Sequence, residues 1–421
     1  MTSSRITQSE KNDVVGCPQC DWVSRLVSLS GNERAECPRC GYVLEHGRRT
    51  EHFTLVAIAT SALVMLLASL SVDFIRYSAA GVEQSMTLMD TAWQLSYFHE
   101  KVLAVLVLLT VILIPLIYLL SLIWVYSHTK NAAWNTARNR GSLYLLRLTE
   151  HLKPWLMTDV FLLGTLVALV KISSLADIRL LEGFWSFSAF VVLLLFVYER
   201  AKHTPVWRHL IKTSQSAPDG KPGMTALEQG LQTCPVCYAL NSQNANICYQ
   251  CTEPQKTSWW RKPGTTVALI IAGAIMLVPA HWLPVMETVR FGNDQPSTII
   301  GGVTELWQSG DKPIAAIVFV ASLVIPVAKV LVLVTLLILA RWQTPQTVRH
   351  RLILFKMTDW IGRWSMIDIF VVAILVALVR SGSVMSVYPG SAAVSFAAAV
   401  VLTMLAAMSF DTRLFWREAD K

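Results

Sequence analysis

The chain has 421 residues, 53% of them hydrophobic and 15% charged, with a mean hydropathy of +0.47. This balance excludes an ordinary soluble protein. The net charge of +8 invites a nucleic-acid partner, but the basic residues stand between long apolar runs, where they set membrane topology, and no nucleic-acid partner is expected.

In chain order, residues 1–50 hold Cys17, Cys20, Cys37 and Cys40, in CPQC and CPRCG. Two CxxC knuckles at this separation supply four thiolates to one tetrahedral metal, as in a zinc ribbon. A first transmembrane module covers 51–212, with apolar spans at about 53–73, 102–126, 156–172 and 184–198. Crossing a bilayer takes about 20 residues, and the third and fourth spans are the short ones. The first run begins at Phe53, too late for a cleavable signal peptide. A linker rich in Ser, Pro and Gly covers 213–229. A second ribbon at 230–258 carries Cys234, Cys237, Cys248 and Cys251, in CPVC and CYQC. The second module, 259–421, has spans at about 264–286, 313–340, 364–380 and 390–410.

The two halves repeat one plan. WLMTDVFLLGTLVALVK (155–171) aligns without a gap to WSMIDIFVVAILVALVR (364–380), matching Asp159 to Asp368, and Pro115 matches Pro326 upstream. Chance apolar similarity accounts for LVALV, but not for an ordered series of ribbon, proline and W-x-M-x-D-x-F appearing twice. The expected fold is an all-α polytopic membrane protein of two tandem repeats, each a four-cysteine zinc ribbon followed by a four-helix transmembrane bundle.

Sidedness follows from lysine and arginine. Counting Lys171 and Arg380 with the loops they border, 28 of the 36 lie on the side of the termini and linker, and 7 on the opposite face. The positive-inside rule puts both termini and both ribbons in the cytoplasm. Thiols there stay reduced and available to metal. A four-thiolate ion has no open position, so two structural Zn2+ are expected. A rubredoxin-like iron uses the same ligands, which leaves zinc and iron both open. Redox-active or idle CxxC pairs are the other reading of these cysteines.

The remaining basic residue, Lys329, is the sole charge between Pro313 and Ala340. A cation at a span centre costs roughly 2.5–3.5 kcal/mol on insertion scales. The first half serves as a control, with Tyr118 in place of Lys329 and Leu194 in place of Thr403. At 1.5 Å rise per residue, Lys329 lies about 18 Å, Thr403 about 15 Å and Asp368 about 8 Å from the basic ends of their helices. Ser365 adds a hydroxyl near Asp368. Such groups inside membranes mark pathways or proton relays. Structural readings compete: Asp159 and Asp368 sit near helix N-termini, where the macrodipole favours an acid. Lys329 can snorkel or pair with Asp368. His281 reads as a hydrogen-bonded interfacial residue, Pro115 and Pro326 as kinks, and Trp282, Trp307, Trp364 and Trp416 as an aromatic belt. No phosphate loop and no nucleophile–base–acid set is present, so no enzyme is expected.

Both ribbons, with PAHWLP (279–284), STIIGGV (297–303), GRWSMIDIF (362–370), VYP (387–389) and FDTRLFW (410–416), carry a resemblance that spans the chain. It resembles the paraquat-inducible protein A family of bacterial inner-membrane proteins. The resemblance implies a tetraspanin-like module and partnership with a periplasm-spanning MCE-domain tunnel protein. It also implies handling of membrane phospholipids, in intermembrane lipid transport and envelope integrity. The chain departs from the pattern at His281, where Asn is expected, and at SLSVDF (69–74), which lacks the flanking prolines. The expectation is a working polar site in the second bundle, made by Lys329, Asp368, Thr403 and Ser365, with Asp159, His281 and Pro326 structural or secondary. The rivals are a passive anchor for the tunnel and a membrane thiol redox protein.

Overall fold

The computed structural model describes residues 14–26, 29, 33–46, 52–79, 82–90, 101–128, 140–173, 177–201, 218–255, 263–290, 293–308, 310, 312–339, 348–364, 366–378, 380–381 and 385–417. In the first half, β1 (Val14–Gly16) pairs with β2 (Val23–Arg25) and β3 (Arg34–Glu36) with β4 (Val43–His46), forming the ribbon. Helix α1 (His52–Ser71) leads to the hairpin β5 (Ile75–Ala79) and β6 (Val82–Met86). Helix α2 starts at Lys101–Val107, passes a π-turn at Leu108–Leu113 and continues as Ile114–His128. Then come α3 (Arg140–Leu152), α4 (Thr158–Ser173), β7 (Asp177–Leu180) and α5 (Glu182–Ala201).

The second half opens with β8 (Leu231–Thr233) and β9 (Leu240–Ser242). It continues with α6 (Pro263–Trp282), β10 (Met286–Arg290), β11 (Asn293–Ser297) and helix α7 (Ile299–Gln308). Helix α8 comprises Lys312–Phe319, a π-turn at Val320–Val324 and Ile325–Leu339. Last are α9 (Val348–Trp364), α10 (Ile367–Leu378), β12 (Arg380–Ser381), β13 (Met385–Pro389), α11 (Ser391–Ser409) and α12 (Leu414–Arg417).

The duplication extends to strand register. Ile75 pairs with Met86 and Leu180, and Met286 pairs with Ser297 and Pro389. The spacing from Pro115 to Pro326 also separates Ile75 from Met286 and Met86 from Ser297. The spacing from Asp159 to Asp368 separates Leu180 from Pro389. These antiparallel sheets, β6-β5-β7 and β11-β10-β13-β12, close the bundle ends away from the ribbons. Strands of two to five residues are too short to show a period in the sequence.

Among the described residues seven helices are long and apolar enough to cross a membrane. The eighth expected span, 364–380, forms only the 12-residue α10, about 18 Å long at the standard rise. Its Ile369, Phe370, Ala373, Ile374 and Val376 are buried by protein. Elsewhere the spans turn apolar side chains outward, such as Val64 and Leu331, as lipid-facing helices do.

Helix α10 packs along α4, its own counterpart in the first repeat. Gly164 permits this approach: a Cβ there would lie 3.0 Å from Phe370 Cβ and 3.4 Å from the Ile367 carbonyl oxygen. Phe161 meets Phe370 edge-on at 5.5 Å and Phe187 at 5.6 Å, which joins the two bundles in one apolar core. Gly164→Leu therefore overpacks the joint, and overpacking of this kind costs about 1–3 kcal/mol or more. A clear drop in Tm in detergent is expected. Gly141→Leu, where an added Cβ meets nothing within 4 Å, leaves Tm unchanged.

The ribbons dock crosswise. The first ribbon's cysteines pack with Leu352 of α9 and Trp416 of α12, both from the second half. Arg39 stacks on Trp416 at 4.5 Å and on Trp22 at 5.3 Å, so Trp416 belongs to this dock and not to the expected aromatic belt. The second ribbon's cysteines join the core that includes the first bundle. Its Glu253 accepts from Arg147 of α3 at 2.7 Å, with His151 of the same helix 3.6 Å away. Ribbon meets ribbon through Asp21, whose carboxylate accepts from the Thr233 hydroxyl at 2.7 Å and the Leu227 amide at 3.2 Å. Arg413 clamps this seam, donating to the Pro18 and Thr233 carbonyls, with Asp21 at 3.8 Å.

Candidate functional site

Each ribbon brings its four sulfurs within 4.8 Å of one another. Sγ–Sγ distances are 3.5 Å for Cys17–Cys40 and Cys20–Cys37, 3.5 Å for Cys234–Cys251 and 3.6 Å for Cys237–Cys248. A tetrahedral ion with bonds of about 2.3 Å needs sulfurs about 3.8 Å apart. The donors therefore fit a metal. All four knuckles turn alike, because the residue after each CxxC has positive φ: Asp21 60°, Gly41 69°, Tyr238 62° and Thr252 60°. That conformation is uncommon outside glycine and an outlier for a β-branched residue such as Thr252. It returns the amides of these residues to the carbonyls of Cys17, Cys37, Cys234 and Cys248. The Asn241 amide donates to Cys248 Sγ at 3.5 Å. Neighbouring thiols, Cys17 foremost, hydrogen-bond Cys37 Sγ and hold it far below the ordinary thiol range; Cys234 leads the same effect on Cys248. A bound ion would tie the knuckles together, with no coordination position left for substrate.

The expected polar residues occupy several neighbourhoods. Lys329 is 4% exposed, and its tail crosses Gly362 of α9. Thr403 is buried on α11, where its hydroxyl donates to the Val400 carbonyl at 3.0 Å. Its methyl faces Gly273 of α6, where a Cβ would come within 2.8 Å. Helices α8 and α11 touch, but Lys329 turns to α9 and Thr403 to α6. Asp368 is the second residue of α10; its side chain and Ser365 lie outside the described residues. Asp159 is half-buried in the first turn of α4, where the macrodipole favours an acid.

His281 and Pro326 belong to one arrangement. Pro326 has no N–H to offer the carbonyl four residues back, that of Ser322. That oxygen instead takes Nε2 of His281 at 3.3 Å, while Nδ1 faces the Leu277 carbonyl at 2.8 Å. A neutral imidazole donates once, so both contacts are hydrogen bonds together only in the doubly protonated ring. Leu70 at the matching place in the first repeat has no such donor.

Ser322 also lines a cavity of about 60 Å³ near the sheet-capped end of the second bundle. Met286, Thr298, Gly302, Ile369, Val372 and Phe396 form its wall, and Leu103 and Val167 of the first repeat close one side. Apart from Thr298 and Ser322 these side chains are apolar. Room for a few small groups suits the end of an acyl chain rather than a whole phospholipid. The sequence reading missed this cavity, which forms from seven elements far apart in the chain. It also passed over Gly362, although GRWSMIDIF contains it.

Duplicated bundles, crossed ribbons with four cysteines placed to hold a metal and an apolar cavity at the far end define a multi-pass membrane protein. The chain belongs to the paraquat-inducible protein A family, whose model matches residues 54–211 and 264–420, once per repeat. Intermembrane transport protein PqiA of Escherichia coli (strain K12) is 32% identical over 400 residues, 95% of this chain and 94% of that protein. Lipophilic envelope-spanning tunnel protein A of the same strain is 28% identical over 407 residues, 96% and 92% of the two chains. A probable intermembrane transport protein of Haemophilus influenzae is 28% identical over 419 residues, 97% of each. No solved structure matches the chain. With its apolar helices, family membership makes this a multi-pass bacterial membrane protein.

Proposed function

We propose that the chain is the inner-membrane component of an intermembrane lipid-transport system, working with a periplasm-spanning MCE-domain tunnel protein. The observation that carries this reading is the apolar cavity at the sheet-capped end of the bundle that also buries Lys329. The relatives' names, which speak of intermembrane transport and an envelope-spanning tunnel, supply the context. The ribbons, each with a structural zinc, and both termini lie in the cytoplasm, and the sheet-capped end faces the periplasm and the tunnel. Phospholipid tails enter the cavity from the bilayer. Lys329, with Asp368, Thr403 and Ser365, is the working polar site below it. Protonation changes there would draw on the membrane potential, which supplies about 2.3 kcal/mol per charge per 100 mV. The role is transport and not catalysis.

The test is lipid transfer from proteoliposomes to the purified partner. Lys329→Ala should slow transfer about tenfold, roughly 1.4 kcal/mol on the barrier, with partner binding retained. A passive anchor would transfer at the wild-type rate with Lys329→Ala. A thiol redox protein would show thiols reacting while two metal ions per chain remain bound.

A further inference from the structure

Gly362 has no backbone reason to be glycine. It lies inside α9 and is absent from the glycines with positive φ. A helix-interior glycine costs about 1 kcal/mol relative to alanine. What requires it is space. A Cβ at 362 would lie 2.6 Å from Lys329 Nζ, 2.8 Å from Cε and 3.1 Å from Cδ. Three successive atoms of the lysine tail thus run through the volume that any other residue would fill.

The first repeat reverses the arrangement. By the spacings that align the repeats, Tyr118 stands at the place of Lys329 and Lys153 at the place of Gly362. Lys153 sits just beyond α3, only partly buried, with its ammonium 2.6 Å from Glu150. Tyr118 is fully buried, and its hydroxyl has no hydrogen-bond partner among the described residues. Each repeat therefore has one lysine at this pair of positions, on opposite helices. In the first repeat the cation is ion-paired near the ribbon end; in the second it rises from the spanning helix and is buried.

We infer that Gly362 is the positioning residue for Lys329: the missing side chain at 362 leaves the space in which the lysine tail lies. This rests on the reading of Lys329 as part of the working polar site. Gly362 touches no lipid in this account and acts only through the lysine tail. The two positions form one unit, so a side chain at 362 displaces the ammonium of Lys329 from its present place.

Purified full-length protein tests this with four variants: Gly362→Ala, Lys329→Ala, the double variant, and the exchange Gly362→Lys with Lys329→Tyr. Gly362→Ala should lower Tm and cut lipid transfer to the partner at least fivefold. In the Lys329→Ala background the same substitution should cost no Tm, because the obstructed tail is gone. The double variant thus supplies folded protein even if Gly362→Ala alone does not fold. The exchange should fold, as the first repeat does, yet stay deficient in transfer, an outcome that separates placement of the ammonium from fold repair. An equal Tm loss in both backgrounds, or wild-type transfer by folded Gly362→Ala beside a defective Lys329→Ala, would overturn the inference. If Lys329→Ala itself transfers normally, the reading of the polar site fails, and the Tm coupling alone then decides the role of Gly362.

Discussion

Removing metal from the first ribbon should loosen the second bundle, and removing it from the second ribbon should loosen the first. The first ribbon's knuckles rest on Leu352 and Trp416, and Gln19 accepts from the Thr412 hydroxyl at 2.9 Å. The second ribbon holds α3 through Glu253 and Arg147. Each hairpin is three or four residues per strand, too small to fold without its ion. Structural zinc contributes about 10–16 kcal/mol in isolated finger peptides, so its loss removes the docking surface entirely. Cys17→Ser with Cys20→Ser should reduce bound metal from two ions to one and expose α9 and α12 to hydrogen exchange, with α3 protected. Cys234→Ser with Cys237→Ser should do the converse. Opening confined to the ribbon's own half would contradict crossed docking. The seam at Asp21, Thr233 and Arg413 adds a secondary effect, since either ribbon then loses a partner.

Gly302→Trp should block lipid transfer while the protein stays folded. Gly302 lines the cavity, and a Cβ added there meets nothing within 4 Å. An indole would occupy space assigned to acyl chain. Transfer should fall about tenfold or more, roughly 1.4 kcal/mol per decade, with Tm within a few degrees of wild type. Lipid that copurifies with the wild-type protein should be depleted. Unchanged transfer and lipid content would mean that the cavity is not on the route.

Much of the plan was legible in the residues. The cysteine spacing reflects ligand geometry, which is local, and the structure places all eight sulfurs as the spacing requires. The repeat was legible because two copies of one side-chain series share one order, and the strand registers keep the same spacings. Seven spans declared themselves by hydropathy, since each must satisfy its own backbone in lipid. The eighth, α10, is covered by protein rather than lipid. The depths of Lys329 and Thr403 place both inside the second bundle, and rotation about each helix axis sets what each side chain touches. Thr403 is turned to Gly273 and Lys329 to Gly362.

By itself the sequence determined the repeats, the membrane class, the two thiolate quartets and the asymmetry that leaves one buried lysine in the second half. These are properties of composition and short spacing, which act within a few turns of chain. Only the tertiary structure decided that each ribbon serves the opposite bundle, that α4 packs on α10, and that the lysine crosses a glycine on another helix. Those outcomes depend on which surfaces fit at close range. A missing Cβ at Gly164 or Gly362 admits a neighbour that no local pattern names.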